Sequence, residues 1–205
     1  MVSAEEALDR LREGNRRFAA NTSSQGNRLT TQPAELTDGQ EPFAIVLGCS
    51  DSRVPAEIVF DQGLGDLFVI RVAGNIVAPS QIGSVEFAAA KFGTRLVVVL
   101  GHSRCGAIEE TVRHLREPSE TRSPNLRLIV DFVQPSVESL LAEGLGEDTD
   151  ALVAQAVRAN VKASAEQMRH GSDILEKLER EEGLLIVGAE YSLETGLVDF
   201  FDGIP

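Results

Sequence analysis

Two short segments of the chain carry the side chains that bind transition metals in proteins. Cys49 is followed by Ser-Asp-Ser-Arg, and His102 is followed by Ser-Arg-Cys-Gly, which ends with Cys105 and Gly106. Two thiolates and one imidazole form a set of three ligands, and three protein ligands with an open fourth position are typical of catalytic zinc. An open zinc site lowers the pKa of coordinated water to about 7, so that hydroxide is available near neutral pH. The sequence therefore predicts a catalytic zinc site whose fourth position is filled by water or by Asp51.

Asp51 and Arg53 add a second functional group beside the first candidate ligand. They lie two residues apart, close enough for a charge-assisted pair. An arginine held on the carboxylate keeps it ionised and directed away from a metal, whereas a released carboxylate could bind the zinc and close the site. Each feature alone has a structural explanation, because a lone buried cysteine is usually a small apolar residue and Asp-x-Arg is more often a salt bridge. Their combination favours a metal centre.

The hydropathy pattern predicts an α/β fold, a mostly parallel central β-sheet flanked by helices, with an N-terminal helical arm. Short apolar runs rich in Val, Ile and Leu predict strands covered on both faces; these runs are 43–47, 67–71, 96–100 and 184–189, with a last short strand near 197–201. Helical spacing predicts helices at 4–20, 55–61, 79–92, 106–116, 125–143, 150–170 and 173–182. Ligands bind at the carboxyl ends of parallel strands, and both cysteine segments follow predicted strands there.

The chain is expected to form a single domain over residues 1–205, with an arm and loop at 1–42 and an α/β core at 43–205. Ser3 and Glu6 fit a capping box at the start of the first helix. Residues 21–42 are rich in Ser, Thr, Asn, Gly and Pro and predict a loop or arm that wraps a surface, such as that of a neighbouring subunit. Asp173 with Glu176 suggests a new helix N-cap.

Composition excludes several functional classes. The formal net charge is −13, which argues against binding to nucleic acid or to an anionic membrane. No apolar run approaches the roughly 18 residues of a membrane helix, and residues 1–18 lack the apolar core of a signal peptide, so we expect a cytoplasmic protein. Two cysteines do not suggest a disulfide scaffold. His114 and His170 are expected to be solvent-exposed helix residues, and Gly63-Leu64-Gly65 is expected to form a turn rather than a dinucleotide site.

The two cysteine motifs, together with Phe68-Val69-Ile70-Arg71-Val72-Ala73-Gly74-Asn75, resemble the β-class carbonic anhydrases over nearly the whole chain. The resemblance implies reversible hydration of carbon dioxide to bicarbonate and a proton by attack of zinc hydroxide. It also implies one Zn²⁺ per chain, held by Cys49, His102 and Cys105. Asp51 and Arg53 would form the catalytic dyad, with Asp51 as the fourth ligand in a closed state.

The same resemblance implies a substrate pocket and an oligomer. The pocket residues that match the family are Gln40, Phe68, Ala73, Phe87 and Gly106. Because the family's active site lies at a subunit interface, a homodimer or homotetramer is expected, with Gln40 reaching the substrate across that interface.

The chain departs from the family pattern at three positions. Val46 stands where other members have the tryptophan of a noncatalytic bicarbonate site, which makes inhibition by bicarbonate less expected. Phe87 and Ala73 replace a common tyrosine and a common valine.

Two other functions are compatible with the motifs. The first keeps the zinc and changes the substrate to carbon disulfide or carbonyl sulfide, which family relatives select through narrowed access tunnels. The second is a noncatalytic zinc or redox-sensing scaffold in which Cys49 and Cys105 are switchable thiols. A scaffold does not require Asp51, Arg53 and Gln40 together, so their presence counts against it.

Overall fold

Helices and strands follow one another along the chain in the order that the hydropathy pattern predicts. The computed structural model describes residues 2–22, 36–117, 123–144 and 148–205. The helices are α1 Ala4–Ala19, α2 Ala56–Val59, α3 Pro79–Phe92, α4 Gly106–Arg116, α5 Pro124–Ala142, α6 Thr149–His170 and α7 Asp173–Glu182. The strands are β1 Ala44–Gly48, β2 Leu67–Arg71, β3 Leu96–His102, β4 Leu185–Tyr191 and β5 Val198–Asp202. A 3-10 turn, Ala73–Asn75, connects β2 to α3.

The five strands form one sheet in the order β2-β1-β3-β4-β5. The first four strands are parallel, and β5 pairs antiparallel with β4. The expectation of a mostly parallel sheet is confirmed. The carboxyl ends of β1 and β3, which are adjacent strands, therefore meet at one edge of the sheet.

Both faces of the sheet are covered, which explains why the strands are apolar without alternation. Val46 and Val98 pack on one face against residues of α1. Their neighbours Ile45 and Val97 pack on the other face against α3, α6 and α7. A third apolar cluster, which includes both cysteines and residues of α4, α5 and α6, lies beneath the carboxyl ends of the strands. The two candidate cysteine ligands are therefore held by a closely packed part of the hydrophobic core.

Several boundaries differ from the prediction for local reasons. β3 extends to His102 because its ladder with β4 continues through the pair His102–Tyr191, so this histidine ends a strand rather than lying in a loop. The segment predicted as a helix over 55–61 forms only the four-residue α2. The serine half of the predicted capping box is confirmed, since the Ser3 hydroxyl accepts a hydrogen bond from the Glu6 N–H at 3.1 Å, whereas the Glu6 carboxylate accepts from Arg10. The cap of α7 is Ser172, one residue before the position that we expected.

The expected loop over 21–42 falls largely outside the described residues, which resume at 36. The predicted turn at Gly63-Leu64-Gly65 is present, with Gly65 at φ +85°.

None of the described helices combines the length and the apolar character needed to cross a membrane.

Candidate metal centre

Three side chains from two strand ends converge on one point. Cys49 directly follows β1, His102 ends β3, and Cys105 precedes α4. One ligand atom from each residue lies within 4.8 Å of the others, and all three residues are buried. The two sulfur atoms are 4.0 Å apart. The structure therefore brings together the three residues that the sequence singled out.

The imidazole of His102 is oriented by its own loop. Its Nδ1 lies 2.9 Å from the Ser103 carbonyl oxygen, which can only accept, so Nδ1 carries the hydrogen. The other nitrogen, Nε2, then presents its lone pair towards the sulfurs. Nε2 is buried and has no hydrogen-bond partner among the described residues. A buried acceptor without a partner is unfavourable in a protein interior, and a cation would satisfy it.

The two thiols have opposite protonation preferences. The hydrogen bond from Cys105 lowers the pKa of Cys49 to about 4, although burial opposes this shift. The same contact raises the pKa of Cys105. A second thiolate so close to the first is unfavourable unless a cation compensates the charge. Because two sulfurs and one imidazole are the ligands that zinc prefers, the residues present fit a zinc ion.

The helix and the turn beside the sulfurs favour negative charge on them. Cys105 is the N-cap of α4, and the N–H groups of Ala107 and Ile108 lower the pKa of its thiol, against the larger effect of Cys49. Gly74 donates its N–H to the Cys49 sulfur at 3.4 Å. Gly74 has φ +70°, a conformation that favours glycine, so this contact depends on the residue type.

Asp51 and Arg53 form the pair that the sequence predicts. The Arg53 guanidinium donates from Nε to Oδ1 at 2.9 Å and from a terminal nitrogen to Oδ2 at 2.7 Å. The Arg53 backbone N–H adds a third bond to Oδ1, also at 2.9 Å. These bonds hold the pKa of Asp51 well below its usual range. Its Oδ2 lies 3.8 Å from His102 Nε2, so an ionised carboxylate borders the candidate ligands.

Comparison with known proteins assigns this arrangement to a family. A family model described as carbonic anhydrase matches residues 44–198. The chain is similar to the carbonic anhydrase of Mycolicibacterium smegmatis, with 39% identity over 189 residues, which are 92% of this chain and 89% of that protein. It is also similar in structure to a β-carbonic anhydrase of Aspergillus fumigatus, with a TM-score of 0.75 and 25% identity over 93% of this chain and 88% of that chain. This chain belongs to the β-carbonic anhydrase family.

Two further relatives match over most of the chain. Carbonic anhydrase 2 of Mycobacterium tuberculosis is 38% identical over 186 residues, which are 91% of this chain and 87% of that protein. A tetrameric β-carbonic anhydrase of Sordaria macrospora matches with a TM-score of 0.72 and 25% identity, covering 92% of this chain and 93% of that chain. The family is zinc-dependent, in agreement with the Cys-His-Cys cluster.

The residues expected at the β-carbonic anhydrase substrate pocket fall into two groups. Ala73 and Gly106 lie at the metal centre, because Ala73 precedes Gly74 in the turn that contacts Cys49, and Gly106 directly follows Cys105. A Cβ atom built on Gly106 would meet no heavy atom within 4 Å, so the backbone beside Cys105 is open to approach.

The second group lies on the side of β2, the edge strand. The ring centroids of Phe68 and Phe87 are 6.2 Å apart, and each lies within about 6 Å of the Phe92 ring, at 6.0 and 5.7 Å. Phe92 also lines a surface cavity of about 510 Å³ together with Gln40. Gln40 precedes β1 and Phe92 precedes β3, so this group lies towards the amino ends of the strands. A five-residue strand spans roughly 16 Å, so one chain does not bring Gln40 to the metal centre.

Arg71 is a site residue to which our sequence analysis gave no role. It ends β2, and its guanidinium donates to the carbonyl oxygens of Cys49 at 3.0 Å and of Asp51 at 2.5 Å. It thereby ties the first ligand loop to the neighbouring strand. The available signal was an arginine at the end of the apolar strand predicted over 67–71.

The two remaining histidines differ from each other. His170 is exposed and lies near Glu166 and Glu176, as expected for a surface residue. The expectation that His114 is solvent-exposed is wrong, because it is half-buried and its Nδ1 is buried without a hydrogen-bond partner among the described residues. Neither belongs to the Cys-His-Cys cluster.

Proposed function

We propose that this chain catalyses the reversible hydration of carbon dioxide to bicarbonate and a proton, with one zinc ion per chain held by Cys49, His102 and Cys105. The observation that carries the proposal is the convergence of these three buried ligand atoms beside the carboxylate of Asp51. Membership of the β-carbonic anhydrase family supports the same reaction. No observation favours the hydrolysis of carbon disulfide or carbonyl sulfide, or a noncatalytic scaffold.

Zinc at this site would supply a strong nucleophile from water at neutral pH by lowering the pKa of that water. Asp51 is suited to accept a hydrogen bond from the attacking oxygen and to fix its orientation. Since Arg53 depresses the pKa of Asp51, this carboxylate remains ionised and is a poor base, so it orients the proton rather than storing it. The released proton then passes to solvent or buffer. When freed from Arg53, Asp51 would become a fourth ligand and close the site.

Carbon dioxide offers almost nothing to hydrogen-bond, so its pocket is expected to be apolar. We assign Phe68, Ala73 and Phe87 to that pocket, together with the Gly106 backbone, and we assign to Gln40 the hydrogen bond to the substrate. In one chain these residues lie in two groups, one at each end of the strands. A complete pocket therefore requires a second chain.

A two-fold dimer through β2 would complete the pocket. β2 is an edge strand, and its Phe68, Val69 and Ile70 are only partly buried. Two such edges related by a two-fold axis run antiparallel, so the amino end of one strand lies beside the carboxyl end of the other. The partner's Gln40 would then approach the metal centre of the first chain. Tetrameric relatives support oligomerisation, and we propose a homodimer or a homotetramer.

We propose a cytoplasmic enzyme with a single domain over residues 1–205. Both cysteines are free and buried, and thiolate ligands are preserved in a reducing compartment. The charge of −13 does not favour nucleic acid or membranes as partners.

The test is stopped-flow hydration of carbon dioxide between about pH 6.5 and 9, with zinc content measured on the same sample. We expect about one zinc per chain and activity that rises with pH. His102→Ala should lose zinc and activity together, whereas His170→Ala, a matched change on the surface, should keep both. A wild-type protein that holds full zinc and shows no hydration at any pH would contradict the proposal.

A further inference from the structure

Glu194 lies outside both cysteine motifs, in the turn between β4 and β5, and its two carboxylate oxygens contact the second ligand loop. Oε2 accepts a hydrogen bond from the Ser103 hydroxyl at 2.8 Å and another from Ser192 at 3.3 Å. Oε1 forms an ion pair with Arg104 Nε at 2.9 Å. Ser103 and Arg104 are the two residues between the second and third proposed zinc ligands. One carboxylate therefore holds both of them.

The carbonyl groups of those two residues orient the functional side chains. The Ser103 carbonyl accepts from His102 Nδ1 at 2.9 Å, which fixes the ring and its tautomer. The Arg104 carbonyl accepts from the Arg53 guanidinium at 3.2 Å, on the arginine that also holds Asp51. These two contacts of the site therefore involve the segment that Glu194 holds.

The backbone of Arg104 requires such support. Its φ is +53°, in the left-handed region that residues with a side chain rarely adopt. A residue persists there only when its surroundings impose the conformation. Its side chain is 73% exposed, and an ion pair with Glu194 restrains that side chain from outside the loop. Removing the carboxylate would allow Arg104 to relax and its carbonyl to turn away from Arg53.

The adjacent Ser103 forms two further hydrogen bonds, one with the same turn and one with the end of β4. Its hydroxyl accepts from the Leu193 N–H at 2.9 Å while donating to Glu194. Its own N–H donates to the Tyr191 carbonyl at 2.9 Å. These backbone contacts persist without Glu194, so its loss should misalign the loop rather than unfold it.

We propose that Glu194 is a positioning residue, which holds Ser103 and Arg104 so that their carbonyls align His102 and Arg53. The effect on turnover rests on the proposed function, whereas the effects on zinc affinity and on Arg53 do not. A surface ion pair with no such role would contribute little to stability and nothing to the site.

The experiment compares the wild-type zinc-loaded protein with Glu194→Gln and Glu194→Ala. The glutamine variant keeps an acceptor for Ser103 and loses the ion pair, and the alanine variant loses both. Glu182→Gln is the matched control, because Glu182 is a half-exposed carboxylate paired with Arg95 next to the amino end of β3. The measurements are zinc affinity by competition with a chromogenic chelator, kcat and KM for hydration, and the ¹⁵N–¹H signal of Arg53 Nε, assigned by Arg53→Lys.

We expect Glu194→Ala to weaken zinc binding about tenfold, in line with the loss of groups that orient metal ligands. Its kcat should fall about tenfold with KM changed less than about twofold, because alignment rather than substrate binding is lost. The Arg53 signal should shift, Glu194→Gln should be intermediate, and Glu182→Gln should match the wild type in every measurement.

Unchanged zinc affinity together with an unchanged Arg53 signal in a folded Glu194→Gln protein would overturn the proposal, whatever the alanine variant does. If the wild-type protein binds zinc but hydrates no carbon dioxide, the proposed function fails. The affinity and the Arg53 signal would still decide the role of Glu194.

Discussion

The Asp51 carboxylate uses both of its oxygens on Arg53, at 2.9 and 2.7 Å. Such a bidentate pair fixes direction as well as charge, because the planar guanidinium matches the carboxylate. The carboxylate therefore stays ionised while its oxygens remain engaged, 3.8 Å from His102 Nε2. A free carboxylate at that distance is a competing zinc ligand. Under the proposed function, the pairing with Arg53 therefore decides whether Asp51 orients the attacking oxygen or blocks the zinc site.

Arg53→Ala should leave zinc in place and lower hydration at neutral pH by roughly 100-fold or more, because Asp51 is then free to occupy the open ligand position. Zinc content and stopped-flow kinetics on the same sample provide the measurement. Arg113→Ala is the control, since Arg113 also pairs with one carboxylate through two nitrogens, on the surface of α4. A variant at position 53 with full activity at neutral pH would show that the arginine does not restrain Asp51.

At the scale of elements, the site depends on the packing of α6 behind the ligand loops. Asn160 on this helix is buried and donates to the Gly74 carbonyl at 2.8 Å, and Ser164 donates to the Asn75 carbonyl at 3.2 Å. The same turn offers the Gly74 N–H to the Cys49 sulfur. A helix far along the chain therefore fixes one hydrogen-bond donor at the metal centre.

Asn160→Ala should destabilise the protein by about 1–3 kcal/mol, the cost of leaving a buried carbonyl without its partner. The carbonyl and the N–H of Gly74 belong to one turn, so losing the Asn160 hydrogen bond should also displace the N–H that donates to the Cys49 sulfur. Zinc affinity should therefore fall several-fold. Urea unfolding at matched protein concentration and chelator competition measure the two effects. Gln167→Ala, an exposed position on the same helix, should change neither. Lower stability with unaltered zinc affinity would disprove the link from α6 to Cys49.

The elements were predictable from sequence because burial on both faces makes each strand a short apolar run, as in β1 and β3. The convergence of Cys49, His102 and Cys105 followed from the rule that adjacent parallel strands end together. Contacts between distant segments left no local pattern. Glu194 touches Ser103 across 91 positions of sequence, and no periodicity or motif marks it. His102 was expected in a loop because the β4 ladder that extends β3 is likewise a long-range pairing.

At the scale of the whole molecule, the proposed function places chemistry and substrate recognition in different regions. One chain contains all three candidate ligands and the Asp51–Arg53 pair, at the carboxyl ends of the strands. Gln40, Phe68 and Phe87 lie on the side of the β2 edge, towards the amino ends. We therefore expect a single chain to bind zinc, whereas we expect turnover to require two chains. A change confined to the β2 side should separate these two properties.

Leu64→Glu is the change that tests this division, since Leu64 is 54% exposed and lines the cavity that contains Gln40. A buried charge at an apolar interface is costly, so we expect a smaller species by light scattering, activity lowered about tenfold or more, and undiminished zinc. Leu128→Glu is the matched control, because Leu128 is 56% exposed on α5, outside the β2 side. It should retain both mass and activity. If the Leu64→Glu protein keeps the wild-type mass and rate, the β2 side is not the interface that completes the pocket. If the variant protein becomes monomeric yet remains fully active, the pocket is complete within one chain.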